Sequence, residues 1–138
     1  MSKVVCNYAV VRFLPYPETQ EFANIGVVLA CASTGFFGYR MELQRRDRIT
    51  HFFPELDDSV FVKGRAYFRD ELECARRAIA GGQDGQTSFS FSGDELKRVF
   101  VELVKPRESI FRFSQVRTLL ADDPNSALTD LFDHYVER

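Results

Sequence analysis

The stretch Arg12-Phe-Leu-Pro-Tyr-Pro-Glu-Thr-Gln-Glu-Phe-Ala-Asn-Ile-Gly-Val-Val-Leu29 decides how this chain folds. It joins two runs, Val4–Leu14 and Ile25–Ala32, that are apolar at nearly every position. Runs of this kind, ended by a proline or a turn, predict strands placed centrally in a sheet with both faces covered. The ten residues between them, Pro15 to Asn24, are too few for a helical crossover, so the second strand returns antiparallel to the first. Ser33-Thr34-Gly35 supplies a short turn with a glycine able to take positive φ, and Phe36–Leu43 resumes as a third strand.

Within the joining segment, Pro15 and Pro17 restrict φ and remove two N–H donors, which stiffens the exit from the first strand. Glu18–Glu21 has the length of one helical turn, with Phe22 as its anchor. Asn24 can bond neighbouring backbone where the second strand begins. Gly26, inside that strand, predicts a bulge or a close backbone approach. The segment therefore has two readings. It is a rigid corner that sets strand register, or it presents Arg12, Glu18, Glu21 and Asn24 as a polar edge to a partner.

Downstream the period changes. Asp47–Phe53 predicts a short helical turn stopped by Pro54, with Phe52-Phe53 as an apolar anchor. A long helix starts at Asp57-Asp58-Ser59, any of which can cap it, and ends at Gly81-Gly82. Phe61, Gly64, Phe68, Leu72, Ala75 and Ile79 recur on one face of it. Gly64 on that stripe costs about 1 kcal/mol of helix propensity, so a close approach to the sheet or an early kink is expected there. Arg69–Glu73 and Glu73–Arg77 have ion-pair spacing on the exposed face.

Gln83–Phe91 reads as a loop with a minor edge strand. Ser92-Gly-Asp-Glu95 has capping-box spacing and opens a helix with Leu96, Val99, Phe100 and Leu103 inward, stopped before Pro106. Ile110–Leu120 predicts a fourth strand or an extended arm. Pro124 and Asn125 introduce a last helix with Leu128, Leu131, Phe132 and Tyr135 inward. The expectation is a single α+β domain over residues 1–138, an antiparallel sheet of three to four strands packed on two to three helices.

The chain's 138 residues suffice for one core without metal or disulfide staples. Fourteen phenylalanines and no tryptophan point to a Phe-rich core. A net charge of −2 argues against nucleic-acid binding by the chain as a whole. Charge is nevertheless uneven: Arg40, Arg45, Arg46 and Arg48 cluster, and Asp122, Asp123, Asp130, Asp133 and Glu137 make the C-terminal region acidic. Cys6, Cys31 and Cys74 have no metal spacing and each sits in an apolar segment, as a small buried hydrophobe would. The first residues lack the apolar core of a secretory leader, and no apolar run approaches a membrane span. A reducing cytoplasm is the expected compartment.

Motifs for chemistry are missing. His51 and His134 have no ligand-spaced companions, so no metal site is expected. There is no Gly-rich phosphate cradle and no Gly-x-Ser-x-Gly elbow, so neither a cofactor nor a nucleophile is declared.

Tyr8-Ala-Val-Val-Arg-Phe-Leu-Pro15, Glu21-Phe-Ala-Asn-Ile-Gly-Val-Val-Leu29 and Thr34-Gly-Phe36 resemble the opening of a bacterial family known only as domain of unknown function 3037. Leu119-Leu-Ala-Asp-Asp-Pro124, with Leu128, Leu131 and Phe132, resembles that family's ending. The resemblance implies a small bacterial protein without assigned catalytic residues, whose genes can neighbour those of HipA-like kinases.

Three functions follow, in order. The first is a non-enzymatic interaction or regulatory protein, binding another protein through a strand edge and the Arg40–Arg48 surface. Its partner would be a kinase-like toxin or a component of phage–host conflict. The second is nucleic-acid binding by Arg40, Arg45, Arg46 and Arg48, with Phe52 and Phe53 for stacking. The third is a small enzyme built around Arg12, Glu21 and Asn24 with His51. Homodimerisation through an exposed edge is also open.

Overall fold

Val4–Phe13 and Ala23–Cys31 form the two central strands, β1 and β2, paired antiparallel as the short connection between them requires. The protein is seen here in a computed structural model that describes residues 3–42, 49, 51–83 and 93–137. Phe36–Met41 is β3, antiparallel to β2, and the turn before it places Gly35 at φ 75° as the sequence demands. Helix α1 covers Asp58–Gln83 and α2 covers Gly93–Val104. Strands β4 (Phe111–Phe113) and β5 (Arg117–Ala121) and helix α3 (Pro124–Tyr135) follow. Among the described residues the sheet has five strands, with the path β3-β2-β1-β4 and β5 also on β1. Every pairing is antiparallel, an α+β arrangement.

Helices cover both faces of the sheet. On one face Ala9, Val11, Phe13, Ile25 and Val28 meet Phe61, Phe68 and Leu72 of α1 and Leu96, Phe100 and Leu103 of α2. On the other, Cys6, Tyr8, Val10, Val27 and Leu29 meet Leu128, Phe132 and Val136 at α3. This explains why β1 and β2 are apolar on both sides of the pleat. Phenylalanines form the centre of the first layer: the Phe13 ring lies 4.9 Å from Phe61 and 5.2 Å from Phe111, and Phe111 stacks on Phe68 at 5.4 Å. Gly64 is a point of close approach, since a β-carbon there would stand 2.6 Å from the Phe111 ring.

Several boundaries differ from the sequence reading. The arm Ile110–Leu120 is two strands and not one, because Ser114 interrupts it. Ser114 is buried; its N–H donates to the Val10 carbonyl and its Oγ accepts from the Val10 N–H, both at 2.8 Å. The side chain thus replaces a ladder partner and lets the strand break and re-pair with β1. Helix α1 runs through Gly81 and Gly82 to Gln83. Its start is set by Asp57, whose Oδ1 accepts from the Ser59 N–H at 3.0 Å. In place of a helical turn over Glu18–Glu21 there is a turn over residues 17–20, with Gln20 at φ 60°. Phe53 is a buried anchor whose N–H donates to the Ile49 carbonyl at 2.9 Å, while Phe52 is exposed. Cys74, expected inside, is exposed on α1, since it lies off the apolar stripe; Cys6 and Cys31 are buried. Arg45, Arg46, Arg48, the minor strand expected in 84–91 and the Ser92 cap lie outside the described residues.

Candidate functional site

A bulge positions the polar end of the sheet. The β1–β2 register shifts between Val11 and Arg12, so that Val11 faces Gly26 while Arg12 faces Asn24. Gly26 is required there, because a β-carbon would stand 2.7 Å from the Arg40 carbonyl oxygen. Bulges re-aim side chains. Here the shift sets Asn24 opposite Arg12 on the α3 side of the sheet, while Ala23 and Ile25 keep to the phenylalanine core. Arg112 lies directly opposite Arg12 across β4, between two phenylalanines that face that same core. Asn24, Arg12 and Arg112 therefore form one row across three strands.

Around this row the contacts are polar and aromatic. The Arg12 guanidinium lies 4.2 Å from the centroid of the Phe22 ring. Its Nε is buried and has no hydrogen-bond partner, and neither has Asn24 Oδ1. Asn24 Nδ2 donates to the Tyr135 carbonyl at 3.4 Å, tying β2 to the end of α3 and not to neighbouring backbone as expected. The hydroxyls of Tyr8 and Tyr135 meet at 3.1 Å. Burial, then Tyr135, pushes the Tyr8 hydroxyl above its ordinary pKa, so it stays a neutral donor and acceptor. Arg117 faces Tyr8 across β5. Burial and the nearby charge of Arg117 lower the pKa of Arg12, which a guanidinium tolerates without losing its proton.

The expected site residues thus separate. Arg12 and Asn24 are brought together. Glu18 and Glu21 are exposed on the connecting turn and form no ion pair among the described residues. Arg40 is on β3, the opposite edge of the sheet from β4 and β5, where its guanidinium lies 4.7 Å from the centroid of the Phe132 ring. His51 is exposed. Tyr8, Arg112, Arg117 and Tyr135 were not expected as site residues; Tyr135 was expected only as an inward residue of the last helix. The alternation of Arg112 between Phe111 and Phe113 was the available signal.

The cysteines and the helix charges lie apart from this row. Burial, and then Cys31 beside it, raises the Cys6 thiol to about 11, which makes it inert. Glu73 accepts from the Tyr39 hydroxyl at 2.6 Å, and Arg76, then Tyr39, hold its carboxyl down to about 2. Glu73 thereby ties α1 to β3.

Among the described residues, no group of three or more His, Cys, Asp or Glu is placed to hold a metal ion. No helix there is long and apolar enough to cross a membrane. The row and its surroundings bring together guanidinium donors, an amide and two phenols, one on β1 and one at the end of α3. Its fold defines a small α+β domain with an N-terminal antiparallel meander. A family model described as Protein of unknown function (DUF3037) matches residues 8–136, and the chain belongs to that family. No curated protein and no solved structure matches it.

Proposed function

We propose that this protein is a non-enzymatic interaction protein that binds another protein through the free edge of β5. The observation carrying this reading is an uncovered apolar strip: Val5 and Leu120, directly opposite each other on β1 and β5, are 52% and 62% exposed. Val116 is exposed beside β5, which among the described residues pairs with β1 alone. An unpaired strand edge with apolar side chains templates an added strand. Next to Val5 a cavity of about 700 Å³ is lined by Lys3, Lys97, Asn7 and Thr118, with no carboxylate. Its charge suits an extended partner segment that is both apolar and acidic. The bacterial setting and the HipA-like kinase neighbourhood implied by the family resemblance make such a kinase the first partner to try, with regulation in a toxin–antitoxin or phage–host context.

The test is co-purification of the tagged protein with a HipA-like kinase encoded beside it, compared with Val5→Asp/Leu120→Asp. The expected result is a stable complex that the double variant weakens at least tenfold while its circular dichroism is unchanged. Equal binding by the variant, a self-dimer abolished by the same change, or salt-sensitive nucleic acid in place of protein would each overturn the reading.

A further inference from the structure

Two other cations on the same stretch of surface have acidic companions. Arg107 makes two hydrogen bonds to the Glu71 carboxylate, at 2.9 and 3.2 Å, and Lys105 pairs with Glu102 at 2.9 Å. Arg12 and Arg112 do not. They are cross-strand partners, the arrangement in which like charges on one sheet face repel. Arg117 adds a third positive charge near enough to depress Arg12. Among the described residues no carboxylate pairs with any of the three. Arg112 Nε donates to the Ser109 carbonyl at 2.7 Å, while Arg12 Nε is buried without an acceptor. A buried, unsatisfied charged donor is a cost that folding alone does not explain.

These guanidiniums border space. A cavity of about 520 Å³ is lined by Arg12 and Arg112, by Ser114 and Gln115, and by the apolar Leu14 and Phe113, with no Asp or Glu anywhere in its wall. Gln20, held at φ 60°, is part of the same wall. Concave sites with an apolar lining and a few convergent polar groups are where small ligands bind. The fork of a guanidinium matches a carboxylate or a phosphate through two parallel hydrogen bonds.

We infer that Arg12 and Arg112 form an oxyanion-binding site, taking the carboxylate or phosphate group of a small ligand whose apolar body rests on Leu14 and Phe113. The anion bonds the part of the Arg12 guanidinium that borders the cavity and cancels the repulsion across β1 and β4. Arg117 strengthens the field without lining the cavity. The site adjoins the β5 docking strip at Val116, which lines the cavity as well, but its arginines are not part of the strip, and it stands if that strip has no partner.

The test titrates the full chain at constant ionic strength with two probes, inorganic phosphate and benzoate, read by amide chemical shifts and by the thermal midpoint. Saturable binding of at least one probe is expected, with shifts centred on Arg12, Arg112 and Ser114. Arg12→Gln and Arg112→Gln are each expected to weaken it at least tenfold, and Arg40→Gln to leave it unchanged. Without anion, Arg112→Gln raises the thermal midpoint above wild type, because it removes a repulsion; a merely structural arginine would lower it. Arg112 is on a short strand at the end of the sheet path, so its variant keeps the test decisive if Arg12→Gln fails to fold. Phosphate-only or benzoate-only binding supports the site and identifies its source of anion. No saturable binding of either probe, or equal weakening by Arg40→Gln, overturns it.

Discussion

At Gly26 a β-carbon would stand 2.7 Å from the Arg40 carbonyl and 3.0 Å from Met41 Cγ. The first of these is backbone and cannot yield without moving β3. Gly26→Ala is therefore expected to destabilise the protein by about 1–3 kcal/mol, the usual range for overpacking. Equilibrium urea denaturation measures this; an unchanged midpoint would show that β3 shifts freely. The bulge at this residue was legible in the sequence, because a glycine inside a strand has few other reasons to be there. Its consequence was not. That Arg12 comes to face Asn24 on one side and Arg112 on the other depends on register, which a single strand's sequence does not contain. Cys74 failed for a similar reason: its apolar neighbours in sequence are not its neighbours on the helix surface.

Among the elements, α3 shows the clearest local logic. Asp123 caps it, its Oδ2 accepting from the Ser126 N–H at 3.0 Å, and Pro124 occupies the first turn where no N–H is needed. Asp123→Ala is expected to cost about 1 kcal/mol. Asp123→Asn should recover most of it in thermal denaturation, and equal losses from both would point to charge and not to the cap. Helices of this kind were readable because their signals are local. The arm from Ile110 to Leu120 was not, since its division into β4 and β5 rests on Ser114 bonding to Val10, more than a hundred positions away in sequence. No alternation of apolar residues announces that a serine will stand in for a ladder partner.

At the scale of the whole molecule, Phe111 is the joint between sheet and helices: its ring meets Phe13 of β1 and both Phe61 and Phe68 of α1. Phe111→Ala is expected to cost about 3–5 kcal/mol, the range for a phenylalanine emptied from a packed core. Chemical denaturation gives the value. A loss below 1 kcal/mol would mean that the two layers collapse to fill the space. Such a loss is a large share of the ordinary margin of a domain, about 5–15 kcal/mol. The amino-acid sequence by itself determined the α+β class, the N-terminal meander and the helix faces, because strand and helix periods and turn chemistry act over a few residues. Only the tertiary structure decided the placement of α3 on the far face from α1 and α2, the row from Asn24 to Arg112 and, among the described residues, the unpaired edge of β5. Those depend on which distant segments share a face, and that is settled when the layers bury their apolar surfaces together.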